Sequence, residues 1–143
     1  SCRTLKAVAL LPNDAGSRNN PPMKRRTYRQ IRAAAPAGMH HSVYVVLLDP
    51  KAGKLPSVMA LNPLAHPAKP CIYVGLTGLN PAERFQNHKA GVKSAPVVRR
   101  YGVRLLPELF EHLNPMPYEI AVRMEVELAE DFRAQGYTVT GGH

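Results

Sequence analysis

The sequence predicts an α+β fold, a small and mainly antiparallel three-stranded sheet flanked by helices. Three observations predict it. Two runs rich in β-branched and aromatic residues, SVYVVLL at residues 42–48 and CIYV at residues 71–74, have the composition of strands. A sharply specified helix start follows the second run, and an apolar stripe of helical period occupies the segment near the C-terminus. A chain of 143 residues, 45% of them hydrophobic, suits one domain with its own core. The longest apolar run, residues 43–48, is six residues, far below the ~18 that a membrane helix needs. A soluble protein with no membrane partner is therefore expected. The apolar patch at residues 7–11, behind Arg3 and Lys6, is too short for a secretory signal. Cys2 and Cys71 form neither a disulfide framework nor a zinc site by spacing, which fits a reducing, cytoplasmic setting.

The charge divides the chain in two. Of the formal +9, eight basic residues up to Ser42 against Asp14 account for +7, and the other 101 residues carry only +2. Residues 1–39 read as a basic, poorly ordered arm, because Pro12, Asn13, Gly16, Pro21 and Pro22 interrupt any period before a basic stretch at residues 24–35. Lys24, Arg25, Arg26, Arg29 and Arg32 are the candidates there for contact with nucleic-acid phosphates, since each phosphate neutralised releases a counterion whatever the base sequence. A solvated or targeting tail has the same composition. Residues 40–143 read as the folded domain.

Within that domain SVYVVLL is nearly continuous in hydrophobicity, the pattern of a strand covered on both faces. The connection that follows, residues 49–70, holds Pro50, Pro56, Pro63, Pro67 and Pro70, which exclude a long helix. It leads to CIYV, expected to pair antiparallel with the first strand, and Gly75 and Gly78 then predict a break into a turn. Asn80, Pro81 and Glu83 occupy N-cap, N1 and N3 of a helix, and Gly91 marks its end. Arg84 and His88, four residues apart, share one face. A second helix capped by Ser94 and ended by Gly102 exposes Arg99 and Arg100, which with Lys89 and Lys93 make a further set of phosphate-binding candidates. VRLL at residues 103–106 predicts the third strand, Pro107 to Leu113 a short helix, and the stretch from Pro117 to Gly136 a long one. Residues 137–139 are a possible final strand.

In the last helix Ala121, Met124, Leu128, Ala129 and Phe132 form the apolar stripe, while Arg123, Glu127 and Glu130 project from the other side. Glu125 falls inside the stripe. A carboxylate entering a core needs compensation, and two cations qualify: a basic side chain or a divalent metal ion.

These residues resemble the GIY-YIG nuclease domain over residues 41–143. VYVV around Tyr44 resembles the first half-motif, although its glycine is absent. YVG at Tyr73 to Gly75 resembles the second, with Val74 in place of isoleucine. Arg84 and His88 reproduce an Arg-x-x-x-His helix, and Glu125 falls where the family places its metal-binding glutamate. Tyr73 follows Tyr44 by 29 positions, a longer separation than the family usually has. The family's C-terminal asparagine has no counterpart, leaving Thr138 or His143 for its place. The resemblance implies a divalent-metal-dependent endonuclease that hydrolyses phosphodiesters in DNA, RNA being a second possibility. On that reading Glu125 holds Mg²⁺ or Mn²⁺, Arg84 donates a fork of hydrogen bonds to phosphate, Tyr44 or Tyr73 orients or deprotonates water, and His88 relays or supplies a proton. The tyrosines need positive charge nearby to lower their pKa values toward neutral pH. Two other classes share the features: a catalytically silent nucleic-acid-binding module, and a basic protein-interaction domain.

Overall fold

The computed structural model describes residues 38–142. The candidates Lys24, Arg25, Arg26, Arg29, Arg32 and His143 lie outside the described residues. The chain runs β1 (Ser42–Leu48), a 3-10 turn (Pro50–Lys54), α1 (Pro56–Leu61), β2 (Cys71–Thr77), α2 (Pro81–Ala90), α3 (Pro96–Tyr101) and β3 (Gly102–Leu105). Two 3-10 turns (Pro107–Leu109 and Glu111–Leu113), α4 (Tyr118–Ala134) and β4 (Thr138–Gly141) complete it.

The sheet has four strands in the order β3-β1-β2-β4. β1 pairs antiparallel with both β2 and β3, whereas β4 pairs parallel with β2. The expected three-stranded, mainly antiparallel sheet is thus corrected to a four-stranded mixed one. Parallel neighbours need a long crossover, and everything from α2 to α4 supplies it, with α4 packing along β2 and β4. Four residues ending in glycine, TVTG, carry little strand signal of their own.

β1 lies inside the sheet, and its Val43, Val45 and Val46 are fully buried, which accounts for its unbroken apolar run. The proline-rich connection after it is better ordered than its composition suggests. The Asp49 side chain accepts a hydrogen bond from the Lys51 N–H at 2.8 Å and starts the 3-10 turn. Asn62, just past α1, is buried. Its Oδ1 accepts from the Val139 N–H at 2.8 Å, and its Nδ2 donates to the carbonyls of Val139 at 2.9 Å and Val58 at 2.7 Å. One side-chain amide therefore pairs with β4 as a neighbouring strand would. Asn114 does the same for β1, accepting from the Val43 N–H at 2.9 Å and donating to the Val43 carbonyl at 2.6 Å. Both satisfy strand-edge groups that β-ladders leave open.

α2 begins as expected, with the Asn80 side chain accepting from the Ala82 N–H at 2.8 Å and Pro81 at the first helical position. Gly91 ends it at φ 84°, a left-handed conformation that costs glycine nothing. The expected Ser94 cap of α3 is not made: the N-cap is Ala95, without a side-chain hydrogen bond. In α4 the stripe Ala121, Met124, Leu128, Ala129 and Phe132 is buried, and Glu125 is buried with it. No helix among the described residues is long and apolar enough to cross a membrane.

Candidate functional site

Register alone brings the two half-motif tyrosines together. Tyr44 stands opposite Gly75, and Val46 opposite Tyr73, so both tyrosines rise from the same face of the sheet. Their ring centroids are 6.1 Å apart. His88, delivered by α2, closes the triangle at 6.0 Å from Tyr44 and 5.8 Å from Tyr73.

The seat of this triangle is Gly75. A Cβ there would lie 2.6 Å from Tyr44 Cζ and 2.9 Å from Tyr73 Cε2, closer than real side chains approach. The glycine expected to break β2 instead lies within it, because the Tyr44 ring crosses the space that a side chain would take. From sequence it reads as turn punctuation, and only its partner across the ladder reveals its function.

Two polar contacts orient the rings. Tyr44 Oη and His88 Nε2 are 2.8 Å apart, and the Ala95 N–H donates to His88 Nδ1 at 3.0 Å. His88 is fully buried, and Tyr44 is only 1% exposed. Tyr73 is half-buried and therefore the more open of the two phenols.

Arg84 serves the same neighbourhood differently. Its Nη1 and Nη2 donate to the carbonyls of Val92 at 3.3 Å and Lys93 at 2.8 Å, tying down the loop between α2 and α3. Its charge still reaches the rings. Burial pushes the His88 imidazole down to about 4, and the Arg84 guanidinium adds to the shift. Burial also pushes the Tyr44 phenol above its ordinary value, a tendency Arg84 opposes. The Tyr73 phenol is raised as well, by burial first and by the negative charge of Glu125 second. The lowering of a phenol expected from nearby positive charge is thus outweighed by desolvation in the protein alone.

Glu125, 6% exposed on α4, is the carboxylate whose field Tyr73 feels. Among the described residues no group of three or more His, Cys, Asp or Glu is placed to hold a metal ion. A cation here would rest on Glu125 with water and substrate oxygens. The nearby donors are carboxylate and phenol oxygens, hard ligands of the type Mg²⁺ and Mn²⁺ prefer. The residues present fit such an ion.

The basic candidates on the domain divide. Lys89 Nζ donates to the carbonyls of Arg99 at 3.0 Å and Gly102 at 2.9 Å, holding the end of α3. The Arg99 guanidinium lies against Gly91, where a Cβ would meet its Cζ at 3.2 Å. Lys93 and Arg100 are exposed. Thr138, one candidate for the missing asparagine, pairs with Cys71, and it is Thr140 that stands opposite Tyr73. One participant escapes sequence reasoning, the Ala95 amide, since a backbone N–H belongs to no residue type that marks a site. Comparison with family models, curated proteins and solved structures yields no match.

Proposed function

We propose that this chain is a divalent-metal-dependent endonuclease that hydrolyses phosphodiester bonds in DNA, through a GIY-YIG-like site made of Tyr44, Tyr73, Arg84, His88 and Glu125. One observation carries the reading: two tyrosines and a neutral histidine meet at ring-contact distances, with one guanidinium and one buried carboxylate acting on them. A core does not need such a set for packing. Phosphodiester hydrolysis uses each kind of group in it.

Glu125 would hold the cation, which when bound supplies positive charge for the phosphate oxygens. Arg84 has donors left after its two loop carbonyls, and their fork suits a phosphate. The Tyr73 hydroxyl, the more open member of the pair, orients water. Tyr44 and His88 sit behind it and hold it in place. The exposed Lys93 and Arg100 extend the positive field along the backbone of the nucleic acid.

A second reading has its own observation. Arg84 and His88 both bond to the backbone of residues 92–95, which is also what a catalytically silent nucleic-acid-binding module would retain for stability. Incubation of the full chain with duplex, single-stranded and branched DNA and with RNA, in Mg²⁺, Mn²⁺ or chelator, separates the two. Metal-dependent cleavage of DNA, lost by at least about 100-fold in Glu125→Gln with DNA binding retained, is expected. Binding without cleavage of any substrate by the wild type would favour the silent module.

A further inference from the structure

The lone pair that His88 turns toward Ala95 decides how the proton is placed between His88 and Tyr44. A backbone N–H can only donate, so the 3.0 Å contact from Ala95 requires Nδ1 to carry no proton. A proton on Nδ1 would set two donors face to face around a fully buried ring. A neutral imidazole with Nδ1 bare carries its proton on Nε2, and that nitrogen is 2.8 Å from Tyr44 Oη. The Tyr44 oxygen therefore accepts, and its own proton must point elsewhere. The Tyr73 ring lies beside that of Tyr44, 6.1 Å away centroid to centroid.

We infer that the Ala95 amide is a positioning group, which holds His88 as the Nε2–H tautomer and so fixes a one-way chain of donors from Ala95 through His88 to Tyr44. On the nuclease reading Tyr73, the more open phenol, is the hydroxyl offered to substrate and water. His88 acts as a fixed donor, where the resemblance implied that it relays or supplies a proton. The direction of the chain stands on hydrogen-bond geometry, and only its consequence for cleavage rests on the nuclease reading.

Sequence and backbone explain why this position can do it. Ala95 is the N-cap of α3, with φ −76°; its N–H lies ahead of the helix and is not taken by a helical carbonyl. The loop that carries it is held by Arg84 through Val92 and Lys93. Arg84 and His88, one turn apart on α2, thus grip the same five-residue loop, one as donor and one as acceptor.

The test is the ¹⁵N spectrum of the imidazoles in the labelled full chain, with His88 assigned by its loss in His88→Gln. The wild type is expected to show a protonated Nε2 and a bare Nδ1 from about pH 5 to pH 8. Ala95→Pro removes the N–H at a φ that proline accepts, and is expected to move His88 toward exchange between its two tautomers. A protonated Nδ1 in the wild type would overturn the proposal, and so would an unchanged spectrum in folded Ala95→Pro. If that variant does not fold, the wild-type spectrum alone decides. With a cleavable substrate, His88→Ala should lower kcat by about 100-fold, and His88→Gln, whose amide donates but does not titrate, should recover at least about tenfold of it. Equal loss in both variants would overturn the fixed-donor role. Absence of any cleavage by the wild type would remove the nuclease reading and leave the tautomer measurement as the judge of the chain.

Discussion

At the scale of single residues, Arg84 shows how one side chain serves structure and chemistry together. Its two loop bonds restrain residues 92–95, and its charge adds to the burial that keeps His88 neutral and works against the burial of both phenols. Arg84→Ala is expected to reduce stability by about 1–2 kcal/mol, the scale of two solvent-exposed hydrogen bonds, and to speed hydrogen exchange at the Ala95 amide. Removing a neighbouring positive charge favours the protonated form of each group, so the His88 pKa should rise and the Tyr44 and Tyr73 pKa values should rise further. NMR titration of His88 in the variant checks the sign. An unchanged titration would reduce Arg84 to a loop tie. The Arg84–His88 pair was legible as a spacing on one helix face, but the backbone carbonyls and amide it grips were not, because they belong to a loop without periodicity.

At the scale of elements, the two asparagines settle how the sheet ends. Asn62 supplies a donor and an acceptor to Val139 and closes the side of β4 that faces away from β2. Asn62→Ala would strip the Val139 N–H of its partner and leave the Val139 carbonyl only the 3.4 Å bond from Arg133 Nη2, an expected loss of about 1–3 kcal/mol. Urea denaturation reads it directly. A loss below about 0.5 kcal/mol would mean that neighbouring groups or water replace the amide. Nothing local announces this role: LNP at residues 61–63 has the composition of a turn, and the partner strand lies 77 positions away. By contrast the start of α2 was legible in full, since Asn80, Pro81 and Glu83 act on their own first turn.

For the molecule as a whole, the buried imidazole sets a pH dependence. His88 is held at about 4 in the folded protein against an ordinary 6.5. Between those values the unfolded chain binds a proton that the folded chain refuses, so this contribution to stability is complete above about pH 6.5 and is lost as the pH falls toward 4. The loss amounts to roughly 3 kcal/mol at most. Unfolding free energies of wild type and His88→Gln between pH 4 and pH 7 are expected to diverge, the wild type falling more steeply on acidification. Parallel curves would show that His88 titrates normally in the fold. Glu125, also within the interior, gives a second whole-molecule test: its charge helps raise Tyr73, so Glu125→Gln should lower the Tyr73 pKa, as followed by ultraviolet titration of the phenols.

What the amino-acid sequence determined by itself lies within single elements. The apolar runs of β1 and β2, the cap and end of α2, and the stripe of α4 that carries Glu125 inward all follow from local period, capping and turn chemistry, which act over a few residues. The tertiary structure alone decided the parallel pairing of β4 with β2, the use of Gly75 as the seat of two rings, and the edge closures by Asn62 and Asn114. It also decided the direction of hydrogen bonding through His88. Each of these depends on which groups meet across long separations, such as the 44 positions between Tyr44 and His88 or the 71 between Val43 and Asn114. A donor or acceptor has a meaning only once its partner is in place.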